Sequence, residues 1–175
     1  MMRIRNFSGI AIPEELWYSF AECFGIGSLL PAVLLEPDMY GRCKTLSVTI
    51  RRVRKRASKK QITTGDHTYG RITLYPCPHC SAASLTQVYL HELVHAWLFQ
   101  YHQKLYQSWD SCGLAETFAD IGFRVLGGTV RPRALCGSYG LSVRVAKGRL
   151  PRFRQLVNSL TTDKDVKTWK PKRPN

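Results

Sequence analysis

Ser84-Leu85-Thr86-Gln87-Val88-Tyr89-Leu90-His91-Glu92-Leu93-Val94-His95-Ala96-Trp97-Leu98-Phe99 is the stretch on which the fold turns. Its apolar residues surround a helix on nearly every side, which predicts a buried central helix. Ser84 with Gln87 three residues on reads as a capping box, and the helical pattern runs to about Tyr106. Inside it lies an H-E-x-x-H motif, His91, Glu92 and His95. Residues four apart share a helix face, so both imidazoles can converge on one cation. Glu92 can then reach a water on that ion without ligating it. A chance copy of the motif belongs in a loop or on a solvated face. In a core helix, two histidines and a glutamate are costly unless something satisfies them. The expectation is one catalytic Zn2+, a water acidified towards pKa ~7, and Glu92 as general base.

A third ligand is required. In Leu114-Ala115-Glu116-Thr117-Phe118-Ala119-Asp120, the two acids lie one turn apart on the next predicted helix, which spans about Leu114–Leu126. Glu116 is the candidate third ligand. Asp120 is the candidate acceptor for the second ring N–H of a ligand histidine, which would fix its tautomer. The opposing expectation is an amphipathic helix whose two acids simply face solvent.

H-E-x-x-H with a downstream E-x-x-x-D resembles the gluzincin-type zinc metallopeptidases, with Glu116 following His95 by twenty-one positions. Thermolysin-like enzymes carry a similar segment with Asn where this chain has Ala115. The likeness covers about Gly70–Gly128, a third of the chain. It implies an α+β, minimal zincin-like domain: a small mixed sheet packed on a buried H-E-x-x-H helix and a second metal-ligand helix. It also implies hydrolysis of peptide bonds, with a protein or peptide as substrate. The metzincin pattern is missed, since Tyr101 stands where a third histidine is needed. A weaker resemblance is to SprT-like proteases, which act on DNA-bound proteins and share aliphatic and aromatic residues after the motif, as in Ala96-Trp97-Leu98-Phe99. Their third ligand is a later His in a Gly-His context, which His102 lacks. Substrate is expected to extend along a Gly70–Tyr75 strand at a sheet edge. Tyr139, Arg144 and His102 are candidate oxyanion stabilisers, and the residues do not choose among them.

Charge opens a different class of function. Among 175 residues, 26 Lys and Arg face 12 Asp and Glu, a net +14. Asp66 is the only acid between Met39 and His91, and Ile121–Thr162 holds eight basic residues and no acid. Arg51–Lys60 alone holds seven, including Arg51, Arg52, Arg54, Lys55 and Arg56 as candidate nucleic-acid contacts. Such an excess favours non-specific nucleic acid, although it also suits a plain solvated surface. The competing class is therefore a non-catalytic basic nucleic-acid-binding protein on a zincin fold. An intact Glu92 opposes it, because a purely structural metal site has no use for a general base.

Composition otherwise reads as one globular domain over 1–160 with a polar basic tail at 161–175. The chain is 44% hydrophobic, and no apolar run reaches the ~20 residues of a membrane span. The N-terminus lacks the apolar segment of a signal peptide, so a cytoplasmic, reducing setting is expected for the six cysteines. Cys77-Pro78-His79-Cys80 resembles a redox motif, but the helix it opens is occupied by H-E-x-x-H. A second, cysteine-bound zinc would have to recruit Cys112 and Cys136, and no second C-x-x-C exists. A loop with free thiols is the expected state. The remaining predictions are a helix over Glu14–Phe24 opened by Pro13, strands at Ala32–Leu35, Thr45–Val53, Gly70–Tyr75 and Leu141–Val145, and a short helix at Phe153–Leu160. Thr45–Val53 is expected to run into a basic hairpin tip, and Gly65-Asp66 reads as a turn.

Overall fold

The computed structural model describes residues 2–26, 46–53, 63–68, 70–101, 115–116, 119–120, 148–153 and 155. Within them the chain has mixed α+β structure. The elements are β1 (Arg3–Asn6), α1 (Glu14–Cys23), β2 (Ser47–Ile50), β3 (Thr64–Thr68), β4 (Arg71–Tyr75) and α2 (Ala82–Tyr101). The strands form one four-stranded sheet in the order β1-β2-β4-β3. β1, β2 and β4 run parallel, and β3 pairs antiparallel to β4 at the edge.

Alternation along the strands sorts the sheet into two faces. Register places Val48 beside Ile72 beside His67, and Ile50 beside Leu74 beside Gly65. The four aliphatic residues are fully buried and belong to one cluster with Leu16, Trp17 and Phe20 of α1 and Leu85, Leu90, Leu93 and Val94 of α2. Both helices therefore cover the same face. The opposite face carries Ser47 and Thr49 of β2 and Arg71, Thr73 and Tyr75 of β4, all half-buried or exposed.

α1 opens after Pro13 with Glu14 and Glu15 in its first turn, where acids suit the positive end of the helix dipole. It closes on Gly25 at φ 67°, with Ile26 N–H bonded to the Ala21 carbonyl and Gly25 N–H to that of Glu22. This is a Schellman ending, and the positive φ is why glycine suits the position. The two helices are locked by Trp17 and Tyr89, whose rings stack at 4.2 Å and 4°. Trp17 Nε1 donates to Thr86 Oγ1 at 2.9 Å, and Tyr89 Oη donates to the Trp17 carbonyl at 2.9 Å. Two large buried aromatics thus keep their polar atoms satisfied and fix the rotation of α2. Phe153, in the helical stretch 148–153, packs edge-on against Phe20 and Phe24.

Several expectations need correction. α2 begins three residues earlier than the Ser84 capping box implies. Ser81 is the cap, its Oγ accepting from Ser84 N–H at 3.1 Å. Arg3–Asn6 is a strand that the sequence did not announce, because Arg-Ile-Arg-Asn offers only one apolar residue to the core. Gly65-Asp66 is no turn but the middle of β3. β2 and β3 do not pair with each other, because β4 lies between them; the basic tip expected after β2 lies outside the described residues. The short C-terminal helix starts before Phe153, since 148–153 is already helical. The strands expected at Ala32–Leu35 and Leu141–Val145 lie outside the described residues, as does the helix beyond Tyr101.

Candidate metal centre

α2 delivers the motif as a unit. Four residues of helix bring His91 and His95 onto one face, with Nε2 to Nε2 at 3.2 Å and ring planes inclined by 66°. Burial lowers the pKa of each to about 4, and His91 lowers that of His95 further. Both rings are therefore neutral at pH 7, the state in which an imidazole ligates a metal. The spacing also suits a shared ion. Two nitrogens at ~2.05 Å from a tetrahedral zinc stand about 3.3 Å apart.

Glu92 points to β3. It is buried, with 5% exposure. Burial raises its pKa to about 7, and the nearby Asp66 adds to the shift. The neighbour that admits it is Gly65. A Cβ on Gly65 would stand 2.5 Å from Glu92 Cγ and 2.7 Å from Oε1. Any larger residue there must displace the glutamate, which is why a glycine sits inside a strand. The turn reading failed on this point, because Gly65 serves a close approach rather than a reversal.

His67 is a site neighbour that sequence reading missed. It faces inward from β3 opposite Ile72, and its ring centroid lies 5.8 Å from that of Phe99. Its Nε2 accepts from Gly70 N–H at 3.0 Å, so the neutral ring carries its proton on Nδ1. Burial first, and His95 second, lower its pKa to about 4. The signal was the alternation Gly65-x-His67, legible only once Thr64–Thr68 is taken as a strand.

The second helix is seen at 115–116 and 119–120. Ala115 and Ala119 belong to the core cluster, which leaves Glu116 exposed and Asp120 half-buried. Asp120 Oδ1 accepts from Gln87 Nε2 at 3.1 Å, one turn of α2 before His91. Among the described residues, no three His, Cys, Asp or Glu side chains gather as a metal-holding group. The structure thus brings His91 and His95 together, sets the adjacent Glu92 against Gly65, ties Asp120 to the same helix and leaves Glu116 exposed.

The remaining candidates divide simply. Arg51 and Arg52 are exposed at the end of β2. Arg54, Lys55, Arg56, His102, Tyr139, Arg144, Cys112 and Cys136 lie outside the described residues. Cys77 and Cys80 are in no disulfide, and burial pushes the Cys80 thiol up, opposite to what a reactive thiolate needs. β4 is paired on both sides, so the expected substrate strand is not an edge; the outermost described strand on that side is β3.

Comparison with known protein families, curated proteins and solved structures finds no match to this chain. No helix among the described residues is long and apolar enough to cross a membrane.

Proposed function

We propose that this chain is a zinc-dependent metallopeptidase on a minimal zincin-like fold. One observation carries the reading: two neutral, inward-facing imidazoles at 3.2 Å on one helix face, with a buried glutamate on the next residue. His91 and His95 would hold zinc through Nε2. Glu116 is the proposed third ligand, supported by its place one turn from Asp120, whose bond to Gln87 anchors the second helix one turn before His91. When bound, zinc supplies a Lewis acid that acidifies water and polarises a carbonyl.

The protein's own residues do the rest. Glu92 accepts a proton from the attacking water and returns it to the departing amine. Its burial keeps competing water away, and Gly65 leaves the space it occupies. β3 is the outermost described strand on that side of the sheet, where an extended peptide can add as a further strand. Asp120 steadies α2 through Gln87.

A second reading keeps the same site and directs it to proteins on nucleic acid, as in SprT-like proteases. The exposed Arg51 and Arg52 and the net charge of +14 favour it. Metal analysis with a casein digestion tests the common core. Wild type should carry about one zinc and cut casein. His95→Ala should lose both properties, and Glu92→Gln should keep zinc and lose cleavage. Full zinc in His91→Ala and His95→Ala, or undiminished cleavage by Glu92→Gln, would overturn the reading.

A further inference from the structure

Apart from Asp66 at its β3 edge, the outer face of the sheet takes no part in this chemistry. Strand register lines up its side chains in rows. Arg3 of β1 and Arg71 of β4 flank Ser47 in one row. Arg5 lies in the next, beside Thr49. The ladder continues one step further, with Phe7 N–H bonded to the Ile50 carbonyl and Arg51 N–H to that of Leu74. Alternation then puts Phe7, Arg51 and Tyr75 side by side on the outer face. With strands ~4.8 Å apart, the two aromatic positions stand about 10 Å from each other with an arginine between them.

All six of these side chains are exposed. Phe7 is 53% and Tyr75 38% exposed, and they are two of the three large hydrophobics so exposed among the described residues. Among the described strands, the acid on this face is Asp66, on β3, the edge farthest from β1. An aliphatic patch would suit another protein. Four arginines around two accessible rings suit a chain of phosphates carrying flat bases.

We propose that this face binds single-stranded nucleic acid without sequence preference. Arg3, Arg5, Arg51 and Arg71 neutralise phosphates, and Phe7 and Tyr75 stack bases. A duplex keeps its bases paired and stacked, so it could use only the arginines. Because α1 and α2 cover the opposite face, a bound strand leaves His91, Glu92 and His95 clear. The inference goes beyond the peptidase reading and needs no hydrolysis to be tested.

The experiment is fluorescence anisotropy with a labelled oligothymidylate of about 20 nucleotides and a duplex of equal length, at several salt concentrations from about 50 mM upward. Wild type should bind the single strand at micromolar protein and prefer it to the duplex. Arg3→Gln/Arg5→Gln/Arg71→Gln should weaken binding at least ~10-fold and flatten the salt slope by about 2, since each lost phosphate contact removes ~0.7. Phe7→Ala/Tyr75→Ala should weaken binding at least ~30-fold and leave the slope unchanged, because stacking releases no counterions. Arg149→Gln/Arg152→Gln removes charge from exposed positions in the helical stretch 148–153 and should change affinity less than ~2-fold. Thermal midpoints check that each variant stays folded. If one set fails to fold, the other still decides, because arginine and aromatic positions are tested separately. Absence of binding, equal or tighter binding to duplex, or equal loss in the Arg149/Arg152 control would overturn the proposal. So would tighter binding to phosphatidylserine vesicles than to the oligonucleotide.

Discussion

The inner and outer faces of the sheet come from the same strands read alternately, and they differ in kind. Inward, β2 and β4 present Val48, Ile50, Ile72 and Leu74, each at 0% exposure under α1 and α2. Outward, the same strands present Ser47, Thr49, Arg71, Thr73 and Tyr75. A clean division of this type is what a one-sided sheet requires, since among the described residues α1 and α2 both bury against the inner face. The inner face is not uniform, however. At β3 the aliphatic residues give way to Gly65 and His67, and those two positions meet Glu92 and neighbour His95. The candidate site therefore lies where the core pattern is interrupted, a common place for function to override packing.

The largest difference between the faces should appear in chemistry. Glu92→Gln is expected to lower peptide hydrolysis by ~10²–10⁴ while leaving zinc content and oligonucleotide affinity unchanged. The outer-face triple arginine variant should do the reverse, lowering oligonucleotide affinity and sparing hydrolysis of a short peptide. Parallel assays on both proteins check this. A variant that damaged both activities equally would show that the faces are not independent.

Stability should separate them next. Leu74→Ala opens a cavity in the core and is expected to cost ~2–5 kcal/mol. Its strand neighbour Thr73→Ala removes a half-buried hydroxyl from the other face and should cost under ~0.5 kcal/mol. Urea unfolding of the two variants measures the contrast, and similar costs would contradict the two-layer arrangement.

A smaller effect sharpens the boundary within the inner face. Gly65→Ala must push on Glu92, and overpacking of this kind costs ~1–3 kcal/mol. It should also slow hydrolysis, because the glutamate is displaced. Gly9 makes the control: Gly9→Ala has open space around its Cβ and is remote from the site, so its strain at φ 78° should reduce stability without changing the rate.

Near neutral pH the expected effects are smallest, and their signs oppose. His67, His91 and His95 are held at about 4 in the fold against an ordinary 6.5. Unfolding lets them take up protons, so they destabilise the metal-free protein progressively as pH falls from 6.5 towards 4. Glu92, raised to about 7 from 4.5, favours folding more as pH falls through that window. Glu92→Gln should therefore raise the metal-free thermal midpoint by a few degrees above pH 7 and lose that advantage near pH 4.5. Thermal melts in a chelator across this range check it. An advantage that grew as pH fell would contradict the sign.

Residue order by itself determined α1, α2, β2 and β4, because each carries a local period, a long capped apolar run or a run of β-branched residues. It also determined that His91 and His95 face one way, since a four-residue interval on a helix permits little else. Their partners were decided only by the tertiary structure. Gly65-Asp66 resembles a turn in the chain, and Gly65 and His67 become strand only through pairing with Leu74 and Ile72. Arg3–Asn6 becomes a strand through the register it shares with β2. The outer-face cluster joins residues 3, 5 and 7 to 51, 71 and 75, separated by tens of positions. The physical reason is common to all three. Helical spacing is fixed by hydrogen bonds within four residues, whereas a sheet takes its neighbours from distant segments, and no local period records which strand will lie beside which.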